Sequence, residues 1–176
     1  GTTITFWHSM GGVNGEAMDY LVNKFNEENT DGITVEAVYQ GEYDDTINKL
    51  KSAQIGNMGA DLVQIYDIGT RFMIDSGWVI PMQELINADG YDISQIEPNI
   101  AAYYTVNNEL YSMPFNSSTP ILYYNKDMFE KAGITEVPTS LEGILAIGDD
   151  LKTKGGAGEP LALSIYGWYF EQWLCK

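Results

Sequence analysis

Positive charge is scarce in this sequence. Nine lysine and arginine residues stand against 25 aspartates and glutamates, which gives a formal net charge of −16. Nucleic acids and anionic membrane surfaces both bind proteins through basic side chains, so neither is expected as a partner. Net charge alone identifies no ligand, because most of these acids are expected to form a solvated surface.

Cysteine and histidine are nearly absent as well. Cys175 is the only cysteine and His8 the only histidine, so no intrachain disulfide can form. A structural metal cluster is not expected either, and no cofactor is predicted. The sequence also lacks a long apolar run that would span a membrane, and no signal peptide is visible. Both a cytosolic protein and a mature exported one fit this pattern.

Apolar and aromatic residues are plentiful. They make up 44% and 12% of the 176 residues, enough for the core of one domain or for parts of two. Strand and helix patterns alternate over the first third of the chain, which indicates a parallel sheet flanked by helices. The predicted elements are strands over 3–7, 33–39 and 60–66, with helices over 15–29 and 43–55 between them.

Ligands of such sheets bind outside the carboxyl ends of the strands. This rule selects residues 7–12, 40–43 and 66–70, which we expect to meet in one crevice. Three aromatic residues, Trp7, Tyr43 and Tyr66, lie there. Their rings either pack in the core or stack on the C–H faces of a sugar.

Glycines 11, 12 and 15 separate the first strand from the first helix. Neither G-x-x-x-x-G-K-[ST] nor G-x-G-x-x-G is present, so a nucleotide loop is disfavoured and a tight turn is favoured. His8, just before these glycines, is either a general base or a histidine that is hydrogen-bonded near the strand end. The second interpretation is the favoured one.

Two further polar sites stand out. The Asp67 carboxylate follows the third strand, where it either accepts hydroxyl hydrogen bonds from a polyol or caps a helix over 69–75. The hydroxyl groups of Ser117, Ser118 and Thr119 either donate to a ligand or form a turn. A glycosidase needs two carboxylates at a set separation, and no such pair is singled out.

The prolines at 114 and 120 bracket a polar segment that we interpret as a crossing between two lobes. We therefore assign 1–113 to an N-terminal lobe with a βαβαβ core and 114–176 to the crossing and the start of a second lobe. The second part is small for an independent core, so this lobe is expected to be incomplete. Its predicted elements are strands over 121–125 and 161–165, and helices over 126–132, 139–154 and 168–175. Gly133 is the expected C-cap of the first of these helices, and either Thr139 or Ser140 is the expected N-cap of the second.

Several segments resemble the extracellular solute-binding proteins of bacterial ABC importers. Within this family, they resemble most the members that bind glycerol 3-phosphate. The segments are FWHSMGG, LVNKFNEEN, YDDTINKL, ADLVQIYDIGT, PFNSSTPILYYNKDMFEKAG and GWYFEQWL. The resemblance implies an α/β lobe of the type II periplasmic-binding-protein kind, with a mostly parallel central sheet flanked by helices. It also implies a monomer without catalysis that delivers its ligand to an ABC permease. The expected location is extracytoplasmic, in the periplasm or on the cell surface as a lipoprotein.

The resemblance also assigns a ligand site. Its expected ligand-binding residues are Trp7, His8, Tyr43, Asp67, Ser117 and Ser118, with no catalytic residue and no metal ligand. Asp67 stands where the glycerol phosphate binders have the longer glutamate, and Leu141 where the family often has tryptophan. The arginine that meets the phosphate in that family has no counterpart here, and Arg71 is the only arginine.

The implied ligand is glycerol 3-phosphate or a glycerophosphodiester. The alternative within binding is an oligosaccharide or another sugar. From a different class, the alternative is a small α/β hydrolase that uses His8 and Asp67.

Overall fold

The computed structural model describes residues 1–175, which form two compact units. The first runs from Gly1 to Phe115 and the second from Asn116 onward. The lobes assigned from the sequence, 1–113 and 114–176, divide the chain close to the boundary between these two units. The assignment of the lobes stays a prediction. The last residue of the predicted second lobe, Lys176, lies outside the described residues.

A parallel sheet forms the centre of the first unit. Strand β1 (Thr2–His8) lies between β2 (Ile33–Tyr39) and β3 (Leu62–Val63), and both neighbours run parallel to it. Strands β1 and β2 pair along their full length, from Thr2 opposite Ile33 to His8 opposite Tyr39. The α/β class with a parallel sheet is therefore confirmed.

Strand β3 is shorter than the predicted strand over 60–66, and this part of the prediction is wrong. The two residues that flank β3 still bond to β1. The Asp61 amide donates to the Thr5 carbonyl, and the Gln64 amide donates to the Trp7 carbonyl. The Asp61 carboxylate, however, accepts the Thr5 amide proton at 2.9 Å. A side chain thus takes the place of a strand carbonyl at the N-terminal end of β3.

Helices and a hairpin complete the first unit. The Asn107-Asn108 turn has positive φ at both residues, 52° and 65°, as a two-residue hairpin loop requires. The buried apolar core consists of Met18, Ile47, Leu50, Met73, Ile86 and Leu110. The remaining elements are α1 (Gly12–Glu28), α2 (Tyr43–Ile55), a 3₁₀ turn (Asp67–Gly69), α3 (Thr70–Ser76), α4 (Met82–Asp89), α5 (Pro98–Tyr103), β4 (Thr105–Val106) and β5 (Glu109–Leu110).

Helix α1 begins earlier than the predicted residue 15, because the glycines form its first turn. Gly11 is the N-cap, and its carbonyl accepts the Gly15 amide proton at 3.2 Å. A Cβ atom on Gly11 would lie 3.1 Å from the Tyr39 hydroxyl. Glycine therefore lets the start of α1 approach the end of β2 closely.

The outer edge of β2 is covered by two amide side chains of the α1 end. The Asn26 amide donates to the Val35 carbonyl at 2.9 Å and accepts from the Val35 N–H at 2.7 Å. Asn29, the C-cap of α1, makes the same pair of bonds with Ile33, at 2.9 Å and 3.1 Å. These side chains satisfy backbone groups that a further strand would otherwise pair with.

The second unit is helical where it is regular. It contains α6 (Lys126–Ala132), α7 (Leu141–Thr153) and α8 (Gly167–Leu174), and the described residues from 116 to 175 include no strand. The predicted strands over 121–125 and 161–165 are therefore wrong. An isolated extended segment has no neighbour to take its backbone hydrogen bonds, and Ile121 and Tyr123 are 72% and 88% exposed.

The local helix signals of the second unit are correct. Ser140 is the N-cap of α7, and its hydroxyl accepts the Gly143 amide proton at 3.1 Å. Gly133 ends α6 with a φ of 72°, the left-handed C-cap conformation that was predicted for it.

Candidate functional site at the strand ends

The carboxyl ends of the three parallel strands lie at one edge of the sheet of the first unit. Trp7 and His8 end β1, Tyr43 opens α2 after β2, and Asp67 opens the 3₁₀ turn after β3. The sheet topology thus brings four of the six expected ligand-binding residues to the same edge, as the rule for open sheets requires.

Hydrogen bonds fix the chain where β1 ends. The Ser9 amide donates to the Gln64 side-chain oxygen at 3.0 Å, and the Ser9 hydroxyl bonds the Thr46 hydroxyl at 2.6 Å. Both hydroxyl-bearing residues are buried, with exposed fractions of 6% and 0%. The loop after β1 is therefore tied to the segment after β3 and to α2, an arrangement that sequence reasoning missed.

His8 is held in the interior. It is 2% exposed and lies between the rings of Phe6 and Tyr39, with centroids 5.7 Å and 5.9 Å away. Its Nδ1 accepts the Met10 amide proton at 3.2 Å. Burial lowers the pKa of His8, and the charge of Asp19 opposes this only in part. These contacts match the interpretation of a histidine bonded near the strand end, and its contact with a ligand stays a prediction.

Tyr43 and Tyr66 form an aromatic stack at this edge. Their ring centroids are 5.4 Å apart and their planes differ by 22°, and the Tyr66 hydroxyl donates to the Asp44 carboxylate. Helix α2 begins at Tyr43 because Glu42 and Asp45 form a reciprocal capping box. The capping box therefore positions Tyr43, whose ring is one of the two in the stack.

The Asp67 carboxylate joins two distant parts of the first unit. One oxygen, Oδ1, accepts the Ile68 amide proton at 3.0 Å, and the other, Oδ2, accepts the Tyr103 hydroxyl proton at 3.1 Å. Helix α3 begins at Thr70 with Gly69 as its N-cap and without a side-chain cap bond. Asp67 is the first residue of the 3₁₀ turn that precedes this helix, and its interpretation as a helix cap stays a prediction.

Tyr104 completes the surroundings of Asp67. Burial first, then the charges of Asp67 and Tyr43, raise the pKa of the Tyr104 phenol. The rings of Tyr103 and Tyr104 meet edge to face, with centroids 5.2 Å apart. We call the group formed by Asp67 and four tyrosines the tyrosine cluster. Its tyrosines are Tyr43, Tyr66, Tyr103 and Tyr104.

Sequence reasoning gave Tyr103 and Tyr104 no role. The contact between Tyr103 and Asp67 joins residues 36 positions apart, so no local motif marks it. The only local signal is the pair of tyrosines at the end of a helix that begins with proline.

Arg71 is engaged elsewhere. Its guanidinium pairs with the Asp75 carboxylate one turn along α3, with Nε 3.0 Å from Oδ2, and both side chains are exposed. This ion pair holds the guanidinium at the surface of α3.

The predicted serines belong to the second unit. Ser117 and Ser118 are exposed and lie in a segment without regular structure, and their part in the site stays a prediction. Leu141 is the first residue of α7 and is 45% exposed. Over residues 1–175, no group of three or more His, Cys, Asp and Glu side chains is arranged to hold a metal ion. Within the same range, no helix has both the length and the apolar character needed to cross a membrane.

The chain belongs to the family described as bacterial extracellular solute-binding proteins, whose sequence profile matches residues 11–176. Proteins of this family bind small molecules, which agrees with a binding role for the strand ends.

Among similar proteins is the sn-glycerol-3-phosphate-binding periplasmic protein UgpB of Salmonella typhimurium. It is 43% identical over 138 residues, which cover 76% of this chain and 31% of that protein. The crystal structure of UgpB from Mycobacterium tuberculosis in complex with glycerophosphocholine is 27% identical. It matches with a TM-score of 0.74 over 86% of this chain and 38% of that one.

A cyclic alpha-maltosyl-1,6-maltose binding protein from Arthrobacter globiformis shares the fold. Its TM-score is 0.66 at 20% identity, over 89% of this chain and 40% of that one. These matches confirm the type II periplasmic-binding-protein fold. The chain thus spans less than half the length of each of the three proteins.

Proposed function

We propose that the protein containing this chain is the substrate-binding receptor of an ABC importer for glycerol 3-phosphate or a glycerophosphodiester. The relative in Salmonella typhimurium is named for glycerol 3-phosphate, and the Mycobacterium tuberculosis relative holds glycerophosphocholine. Both support this ligand class over a sugar, whose binders among the similar structures match the fold with lower TM-scores, such as 0.66 and 0.61 against 0.74.

The tyrosine cluster is the observation that carries the proposal. A carboxylate accepts hydrogen bonds from hydroxyl groups, and aromatic rings provide apolar surface for C–H groups. Asp67 beside the stacked rings of Tyr43 and Tyr66 therefore suits a glycerol moiety, which presents both kinds of group. Ser117 and Ser118 are also proposed as ligand-binding residues, as the family resemblance implies.

The cluster supplies no cation for a phosphate. Arg71 is paired with Asp75, so we assign it no ligand contact and propose that the phosphate is met by other residues of the protein. The receptor would act outside the cytoplasmic membrane, in the periplasm or as a lipoprotein, and pass its ligand to the permease. We propose that it is a monomer and has no catalytic activity.

Calorimetry on the whole protein tests this function. Glycerol 3-phosphate and glycerophosphocholine should bind and maltose should not. Binding of maltose alone would identify a sugar receptor instead. Sustained hydrolysis of a phosphodiester or a glycoside that is lost in His8→Ala would identify the hydrolase.

A substitution at Asp67 locates the site. Asp67→Ala should weaken binding of glycerophosphocholine by about 1–3 kcal/mol, because hydroxyl groups of the bound ligand lose their acceptor. Asp75→Ala is the matched control, since it removes an exposed carboxylate of the same unit that pairs only with Arg71. Equal affinities of the two variants would remove Asp67 from the site.

A further inference from the structure

The Asp67 carboxylate is held at both of its oxygens. A backbone amide, that of Ile68, binds Oδ1, and a side-chain hydroxyl, that of Tyr103, binds Oδ2. The first contact is between neighbours in sequence and fixes one oxygen only. A carboxylate with one fixed oxygen can still rotate about its last torsion angle, which has a broad energy minimum. The second contact, from a distant part of the chain, restrains this rotation.

Tyr103 is itself held in place. It is the last residue of α5, and its ring meets the ring of Tyr104 edge to face at an angle of 89°. The carbonyl of Tyr104 accepts the Tyr111 amide proton at 3.1 Å, which ties the end of α5 to the strand region after β5. The Tyr103 hydroxyl is therefore positioned by packing and by the backbone, although the residue is 54% exposed.

Such an arrangement favours ligand binding. Each group that must become ordered when a ligand binds reduces the affinity, so a prepositioned acceptor binds more tightly than a mobile one. A binding group also needs neighbours that fix its orientation. Because Tyr103 is half exposed, this support lies where a ligand can arrive from solvent.

We propose that Tyr103 is a positioning residue for Asp67: its hydroxyl fixes the carboxylate in the orientation that receives the hydroxyl groups of a glycerol moiety. This inference rests on the proposed function and adds to it a specificity determinant outside the predicted site residues. Tyr103 acts through Asp67, so its effect must depend on that carboxylate.

A double-mutant cycle in the whole protein tests the dependence. Tyr103→Phe removes only the hydroxyl and should weaken glycerophosphocholine binding about 3- to 10-fold, the ratio expected for one hydrogen bond. In an Asp67→Ala background the same substitution should change the affinity less than twofold, on the order of the additivity error of such cycles. The thermal midpoint of the ligand-free protein should stay the same, which a purely structural role would not allow.

Tyr91→Phe is the matched control, because Tyr91 is exposed to a similar degree, 57%. The inference is overturned if Tyr103→Phe binds like the wild type, or if its loss persists without Asp67. A wild type that binds maltose but no glycerol phosphate overturns the proposed ligand, and the cycle is then measured with maltose. A wild type that binds neither overturns both proposals.

Discussion

The two units of the chain organise their apolar residues differently. The first buries six large apolar side chains around a parallel sheet, whereas the described part of the second buries only Ala132 and Leu151. The first unit also places its polar candidates where strands end, on rigid elements. The second presents Ser117 and Ser118 on an exposed segment without regular structure.

This difference separates two kinds of site. In the first unit, the residues around Asp67 are held by hydrogen bonds and ring contacts inside that unit. In the second unit, the regular structure comes from local helix signals, such as the Ser140 cap. The comparison predicts that substitutions in the first unit have large, long-range effects and those in the second have small, local ones.

The largest effect is expected from the core of the first unit. Leu50 in α2 is 3% exposed, and Leu50→Ala should cost about 2–5 kcal/mol of unfolding free energy through the cavity that it leaves. Leu145 in α7 is 79% exposed, so Leu145→Ala should cost less than about 0.5 kcal/mol. Urea unfolding of the chain, followed by circular dichroism, measures both. Equal losses would break the comparison between the units.

An intermediate effect is expected where β1 ends. Thr46→Val leaves the buried Ser9 hydroxyl without its partner and should cost about 1–3 kcal/mol. The double variant Ser9→Ala with Thr46→Val leaves neither hydroxyl, so it should be more stable than Thr46→Val alone. A double variant that is no more stable would show that the hydroxyl pair does not fix the strand end. The same urea titration gives both values.

A small and local effect is expected from the N-cap of α7 in the second unit. Ser140→Ala removes the N-cap of α7 and should cost about 1 kcal/mol. Ser140→Asp keeps a side-chain acceptor at the same place and should retain most of the stability. Hydrogen exchange should locate the loss in the first turn of α7. A loss of protection in the sheet of the first unit would contradict the local character of this unit.

The sequence pattern was sufficient for elements that are specified locally. Helix α2 and strand β2 lie at the residues predicted from periodicity, and Gly133 and Ser140 cap their helices as expected. The order of strands and helices was also sufficient to place Trp7, Tyr43 and Asp67 at one edge, because parallel strands expose their carboxyl ends together.

Long-range contacts could not be predicted from the sequence. The apolar segments 121–125 and 161–165 have strand composition, but a strand also needs a partner, which composition does not show. The N-terminal end of β3 depends on the Asp61 carboxylate reaching the Thr5 amide, and the tyrosine cluster depends on Tyr103 reaching Asp67. Each contact joins residues that are more than 30 positions apart, and a single sequence carries no record of such pairs.

The amide side chains of Asn26 and Asn29 have a consequence for the protein in crowded solution. An open strand edge invites pairing with another chain, which is a common start of aggregation. At β2 the outward backbone groups of Ile33 and Val35 already have partners within their own chain. The lateral edge of the sheet beside α1 therefore resists growth of the sheet into fibres.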